Sequence, residues 1–88
     1  MKIVAFEVEA WEQKAFDALK GDHEVEFVAE KLSEKNASAY PDAEIISTFI
    51  YSALSEQILA NFKPLKLIAT RSTGFDHIDR DYCRQNDI

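Results

Sequence analysis

Glycine is scarce in this chain: Gly21 and Gly74 are the only two among 88 residues. They lie far apart, which excludes a G-x-G-x-x-G turn of the kind that cradles a dinucleotide pyrophosphate. The single cysteine, Cys83, excludes an intramolecular disulfide. No charged segment followed by a long apolar run opens the chain, and with the cysteine usage this leads to an expected cytoplasmic location. Two prolines and two glycines leave little material for linkers, and no segment is repeated or of low complexity. Basic residues are outnumbered 10 to 16, giving a net charge of −6. A field of that sign repels phosphate backbones and anionic headgroups, so neither nucleic acid nor a membrane surface is an expected partner.

What is present is globular in character. Hydrophobic residues make up 47% and aromatics 11%, more than a disordered chain carries. The length allows one small domain, which buries only about 60 to 65% of its unfolded surface.

Lys2 to Val8 reads as a strand, its near-continuous apolar run (Ile3, Val4, Ala5, Phe6, Val8) suiting a site buried on both faces of a parallel sheet. A helix should follow, with Trp11, Ala15, Ala18 and Leu19 on its apolar face, Glu9 and Glu12 at its N-terminal end and Lys20-Gly21 as its stop. Glu24 to Ala29 alternates charged and apolar residues and reads as an edge strand. Ser33 is placed to cap a short helix through Asn36 and Ala39, ended by Pro41. Glu44 to Ile50 is a third, central strand. Ser55 then caps a helix carrying Leu54, Ile58, Leu59 and Phe62 that ends at Pro64. Leu65 to Ala69 is the fourth strand, and Asp79 caps a last helix through Arg84. Strands alternating with helices, joined by right-handed crossovers, give a parallel, doubly wound layer. Ligands in such a layer sit beyond the carboxyl ends of the strands, here after Val8, Ile50 and Thr70.

The most informative stretch runs from Leu65 to Asp79 (LKLIATRSTGFDHID). An apolar strand breaks into a Ser-Thr-Gly turn, and an acidic helix start follows. Such a strand, loop and helix junction aims backbone N–H groups at one point and suits a carboxylate. A plain tight connection would look the same.

The block IATRSTGFDHID, with IISTFIYSALSEQILANFKPLKL before it and RDYCRQNDI after it, resembles the N-terminal part of the D-isomer-specific 2-hydroxyacid dehydrogenases, most of all the D-lactate dehydrogenase branch. The likeness is specific from Glu44 to Ile88 and weaker, though compatible, before that. It implies a flavodoxin-like, three-layer α/β/α domain with a parallel sheet of order 2-1-3-4. The fold would be incomplete here, lacking the fifth strand and the C-terminal helix that such enzymes pack onto this domain. Residues 1–88 would be part of a substrate-binding domain whose NAD-binding companion is absent. The resemblance also implies that NAD and the catalytic Arg, Glu and His belong to that companion, so this chain should bind no cofactor, hold no catalytic residue and be inactive alone. The backbone amides of Thr73 and Gly74 would hold the carboxylate of a small 2-oxo or 2-hydroxy acid.

Single residues are read beside that frame. Gly74 would permit close backbone approach, or merely the turn itself. Ser72 could add a hydroxyl, although a local turn bond is the simpler role. Phe49 and Ile50 read as core packing at least as readily as pocket residues, and Tyr51, apolar with a polar handle, is the better pocket candidate. Arg71 reads as the partner of an acid such as Asp76 or Asp79 rather than as a carboxylate clamp. His77 reads as structural, His23 as a turn residue and Cys83 as a small buried one. Asp76 and Asp79 suit capping rather than a metal site. Asp87 stands where resembling sequences place Gly to end the last helix, so that end should fray or take another cap, since a left-handed non-glycine costs about 1 kcal/mol. An unpaired apolar strand edge predicts self-association, as a homodimer formed by edge pairing or by exchange of the last strand–helix unit. The rival reading is a free-standing receiver-like or interaction module. It is disfavoured because the third strand ends Thr48-Phe49-Ile50 with no Asp.

Overall fold

The first apolar run is flanked by strands on both sides. In the computed structural model, which describes residues 1–72, 74 and 77–88, β1 (Lys2–Phe6) pairs in parallel with β2 (Glu24–Val28) and with β3 (Ile45–Thr48). β3 pairs in parallel with β4 (Leu67–Thr70), giving the order β2-β1-β3-β4. The expected parallel sheet and its strand order are thus present. Its central place explains why Ile3, Val4, Ala5 and Phe6 are all buried, with no polar face.

Register separates the two faces of the sheet. Val4, Phe6 and Ile46, with Val28 and Ile68, pack against Leu32, Leu54, Ile58, Leu59, Phe62 and Cys83. Ile3 and Ala5 point the other way, level with Val25 and Phe27 on one side and with Ile45 and Ser47 on the other. On that face the Phe16 and Phe27 rings meet edge-on with centroids 5.6 Å apart. Leu67 and Ala69 continue the same face along β4 and are exposed, Leu67 by 50%.

The helices are shorter than their patterns suggested. The helix expected after β1 is a 3₁₀ turn (Ala10–Glu12), a single α turn α1 (Gln13–Phe16) and a second 3₁₀ turn (Asp17–Leu19). Its expected apolar face is not the buried one: Trp11, Ala15, Ala18 and Leu19 are exposed, and Phe16 is the residue that packs inward. A 3₁₀ turn takes three residues where an α turn takes 3.6, so successive segments rotate the face away from the position that α-periodicity assigns. The helix expected around Ser33 is reduced to a 3₁₀ turn, Ala37–Ala39. Side chains there compete for the backbone. Asn36 Oδ1 accepts from Ser33 N at 2.9 Å, Asn36 Nδ2 donates to the Lys31 carbonyl at 2.9 Å, and Ser33 Oγ accepts from Lys35 N at 3.3 Å.

Helix α2 (Glu56–Leu59) starts after Ser55, which takes the extended N-cap backbone without a side-chain cap bond. Helix α3 (Arg80–Gln85) is capped as expected, the Asp79 carboxylate accepting from Tyr82 N at 3.0 Å. At its far end Asp87 adopts the left-handed conformation itself, with φ of 58°, and Ile88 N donates to the Cys83 carbonyl at 2.9 Å. The glycine-type cap therefore forms on aspartate, at about 1 kcal/mol of backbone strain.

The amino ends of the strands are tied by charge. Lys2 Nζ lies 2.9 Å from Glu24 and 3.0 Å from Glu26, and these hydrogen bonds raise its pKa. Glu44 accepts from Lys2 N at 3.0 Å and faces Lys66 Nζ at 3.5 Å, and the backbone bond first, then the Lys66 charge, holds its carboxyl below the ordinary range. Because the folded state binds this proton less readily than the unfolded chain, Glu44 stabilises the fold above the unfolded carboxyl pKa of about 4.3. That contribution disappears as pH falls through the lower folded value. Urea melts of wild type and Glu44→Gln between about pH 3 and 6 should therefore converge at the acid end and separate as pH rises. Curves that stay parallel throughout would show that Glu44 carries no such linkage.

Candidate functional site

The carboxyl ends of β1, β3 and β4 meet at one guanidinium. Arg71 follows β4 directly, and its own N–H donates to the Thr48 carbonyl at 2.7 Å, extending the β3–β4 ladder by one bond. Its side chain then turns back across the sheet end. Nη1 donates to Ser47 Oγ at 2.8 Å, Nη2 to the carbonyls of Phe6 at 2.6 Å and Glu7 at 2.9 Å, and Nε to Glu12 Oε2 at 3.0 Å. The group also lies 6.0 Å from the centre of the Phe16 ring. Arg71 does pair with an acid, but the acid is Glu12. Asp79 is occupied at the α3 cap, and Asp76 lies outside the described residues. The sheet register decides this, because a side chain leaving β4 toward β1 points away from the loop that follows it.

Glu7 is the second organiser. It interrupts the first apolar run, and the strand stops before it: Glu7 takes a left-handed φ of 59°. This conformation costs a non-glycine residue about 1 kcal/mol. The turn directs its carboxylate toward the loop after β3, where it accepts from Phe49 N at 3.1 Å, Tyr51 N at 2.9 Å and Ser52 Oγ at 2.5 Å. Ser52 Oγ in turn accepts from Leu32 N at 2.9 Å, tying in the segment after β2.

This loop places Phe49, Ile50 and Tyr51 outside the core. Phe49 is 38% and Tyr51 68% exposed, and Ile50 is exposed as well, so the core reading of Phe49 and Ile50 does not hold. Strand β3 ends at Thr48, two residues earlier than the apolar pattern suggested, and the Glu7 carboxylate takes amides that a longer strand would have used. Phe49 and Tyr51 face each other edge-on with ring centres 6.1 Å apart. Together with Glu7, Trp11, Glu12 and Arg71 they line a cleft of about 520 Å³ that opens at the carboxyl ends of the strands.

The loop after β4 flanks that cleft at Arg71. Ser72 Oγ shares a hydrogen with Thr70 Oγ1 at 2.6 Å and donates to the Gly74 carbonyl at 2.7 Å, so the local turn bond read for Ser72 is present. Gly74 is exposed, and a Cβ built on it would meet nothing within 4 Å among the described residues. Thr73 lies outside the described residues. Further on, Leu54 N donates to the His77 carbonyl at 2.8 Å and Asp79 N to the Leu54 carbonyl at 2.9 Å, stapling this loop to the segment after β3. The His77 Nε2 is buried with no hydrogen-bond partner among the described residues. Burial, then the Asp79 charge, pushes the Cys83 thiol up, as for an inert buried cysteine. No cluster of His, Cys, Asp and Glu suited to a metal ion occurs among the described residues.

The family model described as D-isomer specific 2-hydroxyacid dehydrogenase, catalytic domain, matches residues 3–88. The chain belongs to this family. Among solved structures, D-lactate dehydrogenase from Aquifex aeolicus, complexed with NAD and lactic acid, is 34% identical with a TM-score of 0.86 and aligns with 98% of this chain and 26% of its own. D-lactate dehydrogenase from Escherichia coli is 25% identical with a TM-score of 0.88, over 100% of this chain and 29% of its own. NAD⁺-bound 3-phosphoglycerate dehydrogenase from Entamoeba histolytica is 26% identical with a TM-score of 0.86, over 100% of this chain and 31% of its own. The chain thus spans under a third of the length of these dehydrogenases. No curated protein sequence matched. The resemblance read from IATRSTGFDHID is confirmed, as is the oxidoreductase class of the family.

Glu7, Glu9, Trp11, Glu12, Ala29 and Lys31 are cleft residues that pattern reading missed. The signal for Glu7 was a carboxylate inside the apolar run IVAFEV. Trp11 gave a misleading one, since its spacing from Ala15 and Leu19 fits a core face. Substituting Arg71 with Met should cost about 2 to 4 kcal/mol in chemical denaturation, because it strands the Glu12 carboxylate and the carbonyls that Arg71 now satisfies. At position 7, Glu7→Ala and Glu7→Gly both lose the carboxylate, but Gly relieves the left-handed φ. The Gly variant should be the more stable by about 1 kcal/mol, and equal stabilities would show that the backbone there is unstrained in solution.

Proposed function

We propose that this chain is a substrate-binding part of an NAD-dependent D-2-hydroxyacid dehydrogenase that interconverts 2-oxo acids and D-2-hydroxy acids, of the D-lactate type. In this reading the amides of Thr73 and Gly74, with Ser72 beside them, hold the substrate carboxylate, and Phe49 and Tyr51 flank the rest of the molecule. The observation that carries it is Gly74, exposed and with open space among the described residues where a Cβ would stand. Arg71, at the start of this loop, lines the aromatic cleft, and a bare backbone suits an oxygen-rich ligand approaching the main chain.

NAD does not fit the residues of this chain. The turn after β1 presents Glu7 and Glu9 where a pyrophosphate needs N–H donors, and the Glu7 carboxylate already takes the amides of Phe49 and Tyr51. The chain's own contribution is therefore to bind and orient the acid, while hydride transfer and acid–base chemistry fall to residues outside it. The isolated chain is inactive on this reading. Titration with sodium D-lactate should shift the backbone amides of Ser72 and Gly74 in NMR spectra more than those elsewhere. NADH fluorescence should show no saturable binding at a dissociation constant below ~100 µM, a value that would require about 5.5 kcal/mol of organised contacts. Amide shifts spread evenly over the surface would contradict the proposal.

A homodimer follows from the same domain. The β4 edge carries the half-exposed Leu67 and the exposed Ala69, and strand edges of this kind recruit partners. Sedimentation at high micromolar concentration should give a dimer and a melting temperature that rises with concentration. A compact monomer of 10.0 kDa with a concentration-independent melt would refute it.

A further inference from the structure

We propose that a second cleft, which shares Lys31 and Tyr51 with the first, is a binding site for a phosphomonoester, a phosphate group on a compact organic body. This stands apart from the carboxylate reading of the loop after β4, and either can fail without the other.

The first argument is charge. The cleft, of about 510 Å³, is lined from the segment after β2 and from the stretch leading into α2, with Lys31, Ser33, Glu34, Lys35, Tyr51 and Ser55 among its walls. Two cations stand against one carboxylate here, in a chain whose net charge is −6 and whose first cleft carries three glutamates. Lys2, Lys20, Lys66, Arg71 and Arg84 each pair with a carboxylate, whereas neither Lys31 nor Lys35 has an ion-pair partner among the described residues. The overall field turns anions away, so a local excess of unpaired cation selects where one can settle.

The second argument is that the backbone carrying these donors is held in place before any ligand arrives. Leu32, 1% exposed, anchors the segment in the core, and its N–H donates to Ser52 Oγ at 2.9 Å. Asn36 clamps the lysine-bearing turn, Nδ2 donating to the Lys31 carbonyl and Oδ1 accepting from Ser33 N, each at 2.9 Å. A backbone fixed in this way loses little freedom on binding. Ser33 Oγ accepts from Lys35 N at 3.3 Å and keeps its own proton to donate, and the half-buried Ser55 hydroxyl makes no cap bond. Two ammonium groups and two hydroxyls match a group with three strong acceptor oxygens and close to two negative charges at neutral pH. A carboxylate, with two oxygens and one charge, would leave donors unused. The cleft exceeds the size of a bare phosphate, and the exposed Tyr51 ring and Ala53 offer an apolar wall to the organic body of an ester.

The 88-residue chain is titrated at constant ionic strength with phenyl phosphate, inorganic phosphate and benzoate, followed by amide NMR. Phenyl phosphate should shift Ser33, Glu34, Lys35 and Ser55 saturably, with a dissociation constant of about 1 mM or tighter. Inorganic phosphate should act on the same amides ~threefold more weakly, for want of an apolar body, and benzoate ~tenfold more weakly, for want of charge and of a third oxygen. Lys31→Ala and Lys35→Ala should each weaken phenyl phosphate by ~threefold to fivefold, the scale of an exposed ion pair. Glu34→Gln should tighten it by ~twofold, a gain that unfolding cannot imitate. All three side chains are exposed, so none of these substitutions disturbs the core. Benzoate binding as tightly as phenyl phosphate, or an affinity that neither lysine substitution changes, would overturn the proposal. So would shifts shared equally with the amides of Lys14 and Lys63, which lie outside the lining of this cleft. Shifts confined to Ser72 and Gly74 would place the anion at the loop after β4, overturning the second site and leaving the carboxylate reading intact.

Discussion

The carboxyl end of the sheet depends on the Arg71 guanidinium. Parallel strands leave their last carbonyls pointing at a common edge, and among the described residues no long helix covers it. Arg71 satisfies two of those carbonyls, a serine hydroxyl and a carboxylate at once, which a lysine with a single ammonium could not do in that planar arrangement. Fixing Phe6 and Glu7 against β4 also fixes the direction in which the chain leaves β1. Glu7 then takes a left-handed turn, and its carboxylate shapes the loop after β3. The cleft is the consequence of these two side chains acting in series across three strands.

The chemistry at the two ends of the sheet differs accordingly. At the amino ends, Lys2, Glu24, Glu26, Glu44 and Lys66 form ion pairs whose carboxylate side chains are 28 to 72% exposed, which limits what each contributes. At the carboxyl ends the charges are partly shielded and face backbone groups. There they decide geometry, because each unsatisfied group costs more than an exposed pair gains. The same division is expected of open α/β sheets, in which ligands gather beyond the carboxyl ends of the strands.

Membership of the D-isomer-specific 2-hydroxyacid dehydrogenases gives the cleft its context, and the chain's own residues give it character. The turn after β1 presents Glu7 and Glu9, and the Arg71 guanidinium is taken up by Glu12, Ser47 and two carbonyls. The walls of the cleft carry the exposed Trp11, Phe49 and Tyr51. Shared fold among relatives named for lactate and for 3-phosphoglycerate does not by itself decide the ligand, so the side chains lining the cleft carry that part of the argument.

Much of the fold was legible from the chain alone. Apolar stretches read as Lys2–Val8, Glu44–Ile50 and Leu65–Ala69 located β1, β3 and β4, alternating charge marked β2 as an edge, and Asp79 announced the last helix. These are local signals, set by side-chain periodicity and by capping chemistry within a few residues. The IATRSTGFDHID block carried the family. Tertiary structure alone decided that Trp11 faces the cleft and Phe16 the sheet, because short 3₁₀ turns rotate a face that α-periodicity assigns elsewhere. It alone decided that Arg71 meets Glu12 rather than a neighbouring aspartate, and that Glu7 holds Phe49 and Tyr51 out of the core. Each of these contacts joins residues more than forty positions apart, and such pairings exist only once parallel register has brought the strand ends together.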